Sequence, residues 1–158
     1  MNLSSKQYEA IGRMALAFND LEDVLETYLV ALLWTPELGV SWLLAEEGSF
    51  YQKTERVKRI LREISVERQG LDARIQTIIR LVGQARGLAQ RRNDYVHAMV
   101  VRDIQTKDIR LRMRGGTFTA CDEKEINDLT EQLKALWNEL MEAYVELMTV
   151  LCELRESK

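Results

Sequence analysis

The 158-residue sequence is poor in residues that interrupt helices and in residues that build metal sites. It contains one proline and eight glycines, so long uninterrupted helices are expected. Two cysteines and a single histidine do not form a metal-ligand cluster, and we expect no metal or other cofactor. Sparse cysteines are typical of proteins from a reducing compartment, which favours the cytoplasm.

Long hydrophobic runs and an amino-terminal leader pattern are also missing. The most apolar stretch, residues 28–34, is far shorter than the roughly 18 residues that a membrane helix needs. The first residues lack the charged-then-apolar layout of a secretory signal. We therefore expect no membrane partner and a cytoplasmic location.

The overall composition is that of an ordinary folded protein, with 46% hydrophobic and 30% charged residues, and we expect one domain over residues 1–158. The net charge of −3 hides a local excess of basic residues. The segment from Arg86 to Arg114 contains eight basic and three acidic residues, so its net charge is +5 and that of the rest of the chain is −8. Such a segment fits either an anionic partner or a solvated charged surface.

Apolar residues recur at three- and four-residue spacing along most of the chain, which predicts amphipathic helices. The first predicted helix begins at a Ser4–Gln7 capping box and ends near Trp34, and a short second one begins at Pro36 and contains Trp42 to Leu44. The third begins at a Ser49–Gln52 capping box and ends near Gly70. The fourth covers Leu71 to His97, and the last is capped by Asp122 and Glu125 and runs towards the end of the sequence. The last helix would be roughly 50 Å long. This exceeds what a chain of this size needs to cover itself, so we expect a homodimer.

The period changes from about 3.6 to 2 after His97, which predicts strands. Apolar and arginine residues alternate over residues 109–114, and Gly115–Gly116 is typical of a tight hairpin turn. Residues 99–104 are a candidate third strand. The predicted fold is mainly α, a bundle of long antiparallel helices with a small β-hairpin or meander inserted before the last helix.

One position breaks the apolar stripe of the fourth predicted helix. The stripe continues to Ala89 and then meets Arg92 where an apolar residue is expected, and burial of a guanidinium group is costly unless it is paired. Glu22, which flanks the stripe of the first helix, is a candidate partner, although a solvated Glu22 fits equally. Asn93 and His97 are four residues apart and therefore share a helix face. A histidine at a helix end also fits a purely structural role, since it interacts favourably with the helix dipole.

The segment Arg92-Asn93-x-x-x-His97 at the end of a bundle helix resembles the Arg-x4–6-His motif of the HEPN superfamily. The polar residue directly after the arginine also fits that family. The resemblance implies a helical domain of HEPN type, in a family where many members are metal-independent ribonucleases of toxin–antitoxin and antiviral systems. It therefore implies an endoribonuclease that acts on RNA, with an antitoxin or regulatory protein as a further partner.

The chemistry implied by the resemblance assigns a role to each motif residue. RNA cleavage without a metal uses the ribose 2′-hydroxyl as nucleophile and needs a base, an acid and a cation near the phosphate. His97 would be the acid or base, Arg92 the phosphate clamp, and Asn93 the group that orients the phosphate or the imidazole. With one histidine per chain, an acid–base pair of imidazoles needs two chains around one cleft.

On an ideal helix Arg92 and His97 do not lie side by side, because a separation of five residues places them roughly 140° apart around the helix axis. Three solutions are open. The helix frays before His97, the arginine side chain reaches round, or each arginine serves the histidine of the other chain.

Supporting roles are expected for several neighbouring residues. Asp94 would accept a hydrogen bond from His97 or an arginine, with a solvated aspartate as the alternative. Tyr95 would stack on a base, with core packing as the alternative. Further contacts to the RNA backbone are expected from Arg91, Arg110, Arg112 and Arg114.

A second pattern predicts a different class of function. Gly48-Ser49-Phe50-x-x-Lys53, followed later by Arg-Asn-x-x-x-His, is similar to the mannitol operon repressor family. That resemblance implies a non-catalytic regulatory or protein-binding helical module.

Overall fold

The computed structural model of the chain describes residues 3–33, 38–67, 70–102, 109–112, 116 and 118–156. Within these residues the fold is mainly helical, which confirms the predicted class. The elements are, in chain order, α1 (Ser5–Leu33), α2 (Leu38–Glu46), α3 (Phe50–Glu67), α4 (Asp72–Val96), β1 (Met99–Arg102), β2 (Ile109–Arg112), β3 (Phe118–Ala120) and α5 (Glu123–Glu156). No helix in this part of the chain is long and apolar enough to cross a membrane.

Both predicted capping boxes are present at helix starts. At α1 the Ser4 hydroxyl accepts a hydrogen bond from the Gln7 amide at 3.2 Å, and the Gln7 side chain accepts one from the Ser4 amide at 2.9 Å. Ser49 and Gln52 form the same reciprocal pair at α3. These bonds satisfy amide groups that the first turn of a helix leaves without partners, so they fix where each helix begins.

The start of α5 departs from the sequence prediction in one detail. The Asp122 carboxylate accepts a hydrogen bond from the Lys124 amide at 2.8 Å, which is the expected cap. Glu125 was expected to complete this cap, but its carboxylate accepts a hydrogen bond from Tyr95 instead. Its side chain therefore belongs to the surroundings of the motif.

The chain divides into two compact units, and the expectation of a single domain stays a prediction. The first unit comprises Met1–Asn19 and Gly87–Lys134. It contains the amino-terminal part of α1, the end of α4, the strands and the start of α5. Its buried apolar residues are Leu3, Ala10, Met14, Ala17, Phe18, Ala89, Leu111, Cys121, Ile126, Leu129 and Leu133.

The second unit comprises Asp20–Arg86 and Ala135–Lys158. Its buried apolar residues are Leu21, Val24, Leu25, Tyr28, Leu29, Ala45, Val57, Leu61, Leu71, Ile75, Ile78, Leu81, Val82, Ala85, Leu136, Leu140 and Leu147. The buried hydroxyl of Tyr28 donates to the carbonyl of Leu140 at 2.8 Å, so this phenol is satisfied within the core. The stripes predicted for α1, α4 and α5 supply most of both cores.

The strands pair in an antiparallel sheet of order β1-β2-β3. In the register Val100 faces Leu111, and Leu111 faces Thr119. Of the predicted hairpin turn only Gly116 is described, and its φ of 80° is a conformation that glycine adopts without strain. Arg114 and Gly115 lie outside the described residues.

Candidate functional site

The end of α4 places the three motif residues. The helix is assigned to Val96, yet the amide of His97 still donates to the carbonyl of Asn93 at 3.0 Å, which is an α-helical bond. The next amide, of Ala98, donates to the carbonyl of Tyr95 at 3.4 Å, and β1 follows directly. His97 therefore follows directly after the last residue of α4, and its amide makes the last hydrogen bond of the helix. The three solutions for the placement of Arg92 and His97 stay predictions.

Arg92 lies half-buried against the aromatic ring of Phe18 from α1. The carbon of the guanidinium group is 4.6 Å from the ring centroid, a distance at which a cation is attracted to the ring face. The guanidinium Nη1 donates to Asn93 Oδ1 at 2.9 Å. The Nε–H is buried and has no hydrogen-bond partner among the described residues. Arg92 is thus held in place, but its hydrogen-bonding capacity is only partly used.

Glu22 was expected to pair with Arg92, and the structure corrects this. Its carboxylate accepts a hydrogen bond from Lys53 Nζ at 2.8 Å, and Glu26 accepts a second one from the same ammonium group. The physical reason is the burial of Lys53, whose side chain is only 5% exposed and needs compensating negative charge. Glu22 is therefore not assigned to the motif, and no described ion pair involves Arg92.

Asn93 and His97 share one face of α4, as their spacing predicts. His97 is exposed, and within the described part of the chain its imidazole makes no hydrogen bond. The Asn93 oxygen is occupied by Arg92, so its amide N–H groups are the ones left to donate. This face therefore carries an exposed imidazole and a half-buried amide donor, one helical turn apart.

Tyr95 and Arg91 connect the end of α4 to α5. The Tyr95 hydroxyl donates to Glu125 Oε2 at 2.8 Å, and Arg91 Nη1 donates to Gln132 Oε1 at 2.8 Å. Burial, followed by the interaction with Glu125, raises the pKa of the Tyr95 phenol. A protonated phenol bound to a carboxylate fits a positioning role better than the predicted stacking on a base. Arg91 is exposed.

Asp94 lies half-buried near the end of α4. Its Oδ1 accepts a hydrogen bond from Gln90 Nε2 at 3.1 Å, one turn earlier on the same helix. A bond from His97 or an arginine, one of the two roles predicted for Asp94, is absent among the described contacts, and the alternative of a solvated aspartate stays a prediction.

The arginines of β2 share one face of the strand, as the alternation predicts. Leu111, between them, is buried, whereas Arg112 is exposed and Arg110 half-buried. Arg114, the third predicted member, lies outside the described residues.

Three residues around the motif were not assigned to it from the sequence. Phe18 was recognised only as part of the α1 stripe, whereas Glu125 was assigned to a helix cap and Gln132 to nothing. The contact with Phe18 had one usable signal, an aromatic residue on a neighbouring apolar stripe. The partners on α5 had none.

The described residues contain no group of three or more histidine, cysteine, aspartate or glutamate side chains placed to hold a metal ion. Comparison of the chain with protein-family models, with curated proteins and with solved structures yields no significant match. The functional assignment therefore depends on the residues of the site themselves.

Proposed function

We propose that the chain is a metal-independent endoribonuclease of HEPN type that acts as a homodimer. The proposal includes the fold implied by that resemblance, a bundle of long antiparallel helices with a small hairpin before the last helix. The observation that supports it best is the pair formed by the exposed His97 and the half-buried Asn93, directly beside an arginine that lies over the ring of Phe18.

The chemistry needs only groups that this face supplies. The ribose 2′-oxygen attacks the adjacent phosphorus while one imidazole takes its proton. The bond from phosphorus to the 5′-oxygen breaks, and a second imidazole protonates that oxygen. The products are a 2′,3′-cyclic phosphate and a free 5′-hydroxyl. Since the chain has one histidine, the second imidazole comes from a second chain.

The structure changes the role that we propose for Arg92. Its Nη1 is bound to Asn93, so Arg92 fixes the amide that donates to a phosphate oxygen. Its remaining N–H groups add positive charge beside the same oxygen. Arg92 is thus first a positioning residue and second an electrostatic one.

The test is cleavage of a labelled RNA in excess EDTA. The wild-type protein is expected to cleave it, to leave a 2′,3′-cyclic phosphate, and to spare a substrate with 2′-deoxyribose at the cleavage position. His97→Ala is expected to lower the rate by about 10²–10⁴-fold. Gln84→Ala, an exposed position on α4 outside the site, is the matched control and should leave the rate unchanged. Equal cleavage by His97→Ala and wild type would show a contaminating nuclease and remove the proposal.

A non-catalytic regulatory or protein-binding module, similar to the mannitol operon repressor family, is the second candidate. The exposed apolar residues of α2, which include Trp42 and Leu43, favour it because such surfaces typically contact other proteins. Absence of cleavage by the wild-type protein, with a folded and stable chain, would select this candidate. An antitoxin or regulatory partner belongs to either proposal.

A further inference from the structure

One side of α3 combines an aromatic ring with several cations. Tyr51, Glu55, Lys58 and Arg62 follow one another three or four residues apart and therefore share this side of the helix, and Arg59 lies beside them. The buried side chains of α3 lie on the opposite side. These five residues, here called the α3 face, include three basic residues and one acidic residue, so the face has a net charge of +2. Its charge is thus opposite in sign to that of the whole protein.

The ring of Tyr51 is held in place by Arg86 of α4. The guanidinium carbon of Arg86 lies 3.9 Å from the ring centroid, and the Nη1 of the same group donates to Glu55 Oε1 at 2.5 Å. Tyr51 is nevertheless 55% exposed. Because the guanidinium group covers one side of the ring, the exposed area belongs to the other side and to the edge. The protein therefore keeps a flat aromatic surface open to solvent and fixes its orientation.

The charge of Lys58 is compensated only in part. Its side chain is 12% exposed, and its described ion pair joins it to Glu55 at the long distance of 3.8 Å. The same carboxylate already binds Arg86. One carboxylate is therefore shared by two cations here, whereas two carboxylates bind the single ammonium group of Lys53. An anionic ligand would complete the compensation beside Lys58.

We propose that the α3 face binds single-stranded RNA, with one base stacked on the open side of the Tyr51 ring and the neighbouring phosphates beside Lys58 and Arg62. An aromatic ring for a base, next to cations for the backbone, is how proteins bind single-stranded nucleic acid. A partner that offers only carboxylates would occupy the cations and leave the ring unused, so the ring favours a nucleic acid. The choice of RNA rests on the proposed ribonuclease function, whereas the α3 face contains none of the residues assigned to cleavage.

The first test measures the binding of labelled RNA by fluorescence anisotropy in a His97→Ala background, which keeps the RNA intact. A single strand is compared with a duplex of the same length, whose bases are already stacked on one another. Tyr51→Ala should weaken binding of the single strand by roughly 5- to 150-fold, the range typical of one stacked base, and leave duplex binding unchanged. Tyr51→Phe keeps the ring and should bind both RNAs like the parent.

The matched control for this test is Tyr8→Ala on α1. Tyr8 is 54% exposed, almost as much as Tyr51, but no cation lies over its ring among the described contacts. Its removal should leave binding of the single strand unchanged. Equal affinities of Tyr51→Ala and Tyr8→Ala for the single strand, or no binding of the single strand by the parent, would overturn the proposal.

The second test measures the phosphate contacts through their salt dependence. Lys58→Gln should lower the slope of log affinity against log salt concentration by about 0.7, the contribution of one phosphate of a single strand. Arg62→Gln, at an exposed position, should lower it equally and replaces Lys58→Gln if that variant folds poorly. Lys134→Gln on α5, whose ammonium group is paired with Glu131, is the control and should not change the slope. Unchanged slopes for both α3 variants would overturn the proposal.

The two tests also separate RNA from an acidic protein as the occupant. Weaker binding by Lys58→Gln together with normal binding by Tyr51→Ala would mean that only charge is recognised, and it would contradict a stacked base. Cleavage is measured separately with the wild-type chain. RNA binding at the α3 face without any cleavage removes the ribonuclease proposal alone, and cleavage with normal binding by Tyr51→Ala removes the α3 face alone.

Discussion

Lys53 and Arg92 are both withdrawn from solvent, and their surroundings compensate the two charges to different degrees. Lys53 on α3 is buried and its ammonium group is bound by the carboxylates of Glu22 and Glu26. Arg92 on α4 is half-buried, lies over an aromatic ring, and keeps one buried N–H without a partner among the described residues. A buried cation whose charge is balanced by bound carboxylates, such as Lys53, needs no role beyond stabilising the fold. A partly compensated one, next to an exposed imidazole, is a candidate for function.

The comparison predicts its largest difference for Lys53→Met. The substitution removes the cation but leaves two carboxylates facing each other in a partly buried place. We expect the free energy of unfolding to fall by about 2–4 kcal/mol, somewhat less than for a fully buried pair because the Glu22 side chain is 28% exposed. Urea denaturation measures this loss, and Lys134→Ala, which removes the exposed pair with Glu131, should cost at most about 0.5 kcal/mol.

The same variant has a defined pH dependence. Burial disfavours the ammonium form of Lys53, but the hydrogen bonds that this group donates to Glu22 and Glu26 outweigh the burial and raise the pKa of Lys53 above its ordinary value of 10.5. The stabilisation is therefore complete below that value and is lost only as the pH rises through the folded-state pKa. The difference between wild type and Lys53→Met should stay constant from neutral pH to about pH 9. A difference that vanishes within that range would contradict the ion-pair explanation.

Phe18→Leu tests the ring beneath Arg92. Leucine keeps most of the apolar volume but removes the cation–π contact, so we expect a loss of about 1–2 kcal/mol in unfolding free energy. The released arginine should also fix Asn93 less well, so RNA cleavage should fall by roughly 5- to 30-fold, the factor that corresponds to about 1–2 kcal/mol in the barrier. Leu129→Met, a conservative change at a fully buried position of α5, is the control for stability alone. Equal cleavage rates for Phe18→Leu and Leu129→Met would show that the ring of Phe18 does not contribute to catalysis.

Arg92→Met is expected to change stability by less than about 1 kcal/mol in either direction. The variant loses the contacts with Phe18 and Asn93, but it also removes a buried N–H that has no partner. Cleavage should nevertheless fall strongly, since Asn93 loses its fixed orientation. Calorimetric unfolding together with the cleavage assay makes the comparison with Lys53→Met direct. A loss of stability as large as that of Lys53→Met would mean that Arg92 is a structural cation too.

The smallest effect on stability is expected for Asp23→Asn, a position close to the carboxylates that bind Lys53. Burial, then the charges of Glu26, Asp20 and Glu22, raises the pKa of Asp23, and Lys53 only partly offsets this. A raised folded-state pKa means that the ionised form costs stability at neutral pH and that this cost disappears as the pH falls. Asp23→Asn should therefore stabilise the protein by a few tenths of a kcal/mol at pH 7 and by less near pH 4. Destabilisation at pH 7 would contradict this sign.

The sequence predicts helices well and side-chain partners poorly, and Arg92 illustrates why. The apolar period and the capping boxes fix where α1, α3 and α4 begin, and the break in the period marks Arg92 as partly buried. Phe18 and Glu22 are four residues apart and share one face of α1, so the pattern does not tell which of them meets the arginine. That choice depends on packing between distant segments.

Lys53 illustrates the same limit from the other side. The sequence places it within the Gly48-Ser49-Phe50 pattern but does not predict that it is buried, because a lysine is ordinarily exposed. Its capture of Glu22 and Glu26 joins residues more than 25 positions apart. The same capture removed the partner that the sequence suggested for Arg92.

The most direct test of the central claim is cleavage of RNA in EDTA by mixtures of wild-type and His97→Ala chains, allowed to exchange subunits at constant total concentration. If each site needs an imidazole from both chains, activity should fall as the square of the wild-type fraction. A fall in simple proportion to that fraction, or no cleavage by the wild type alone, would contradict a site shared between two chains.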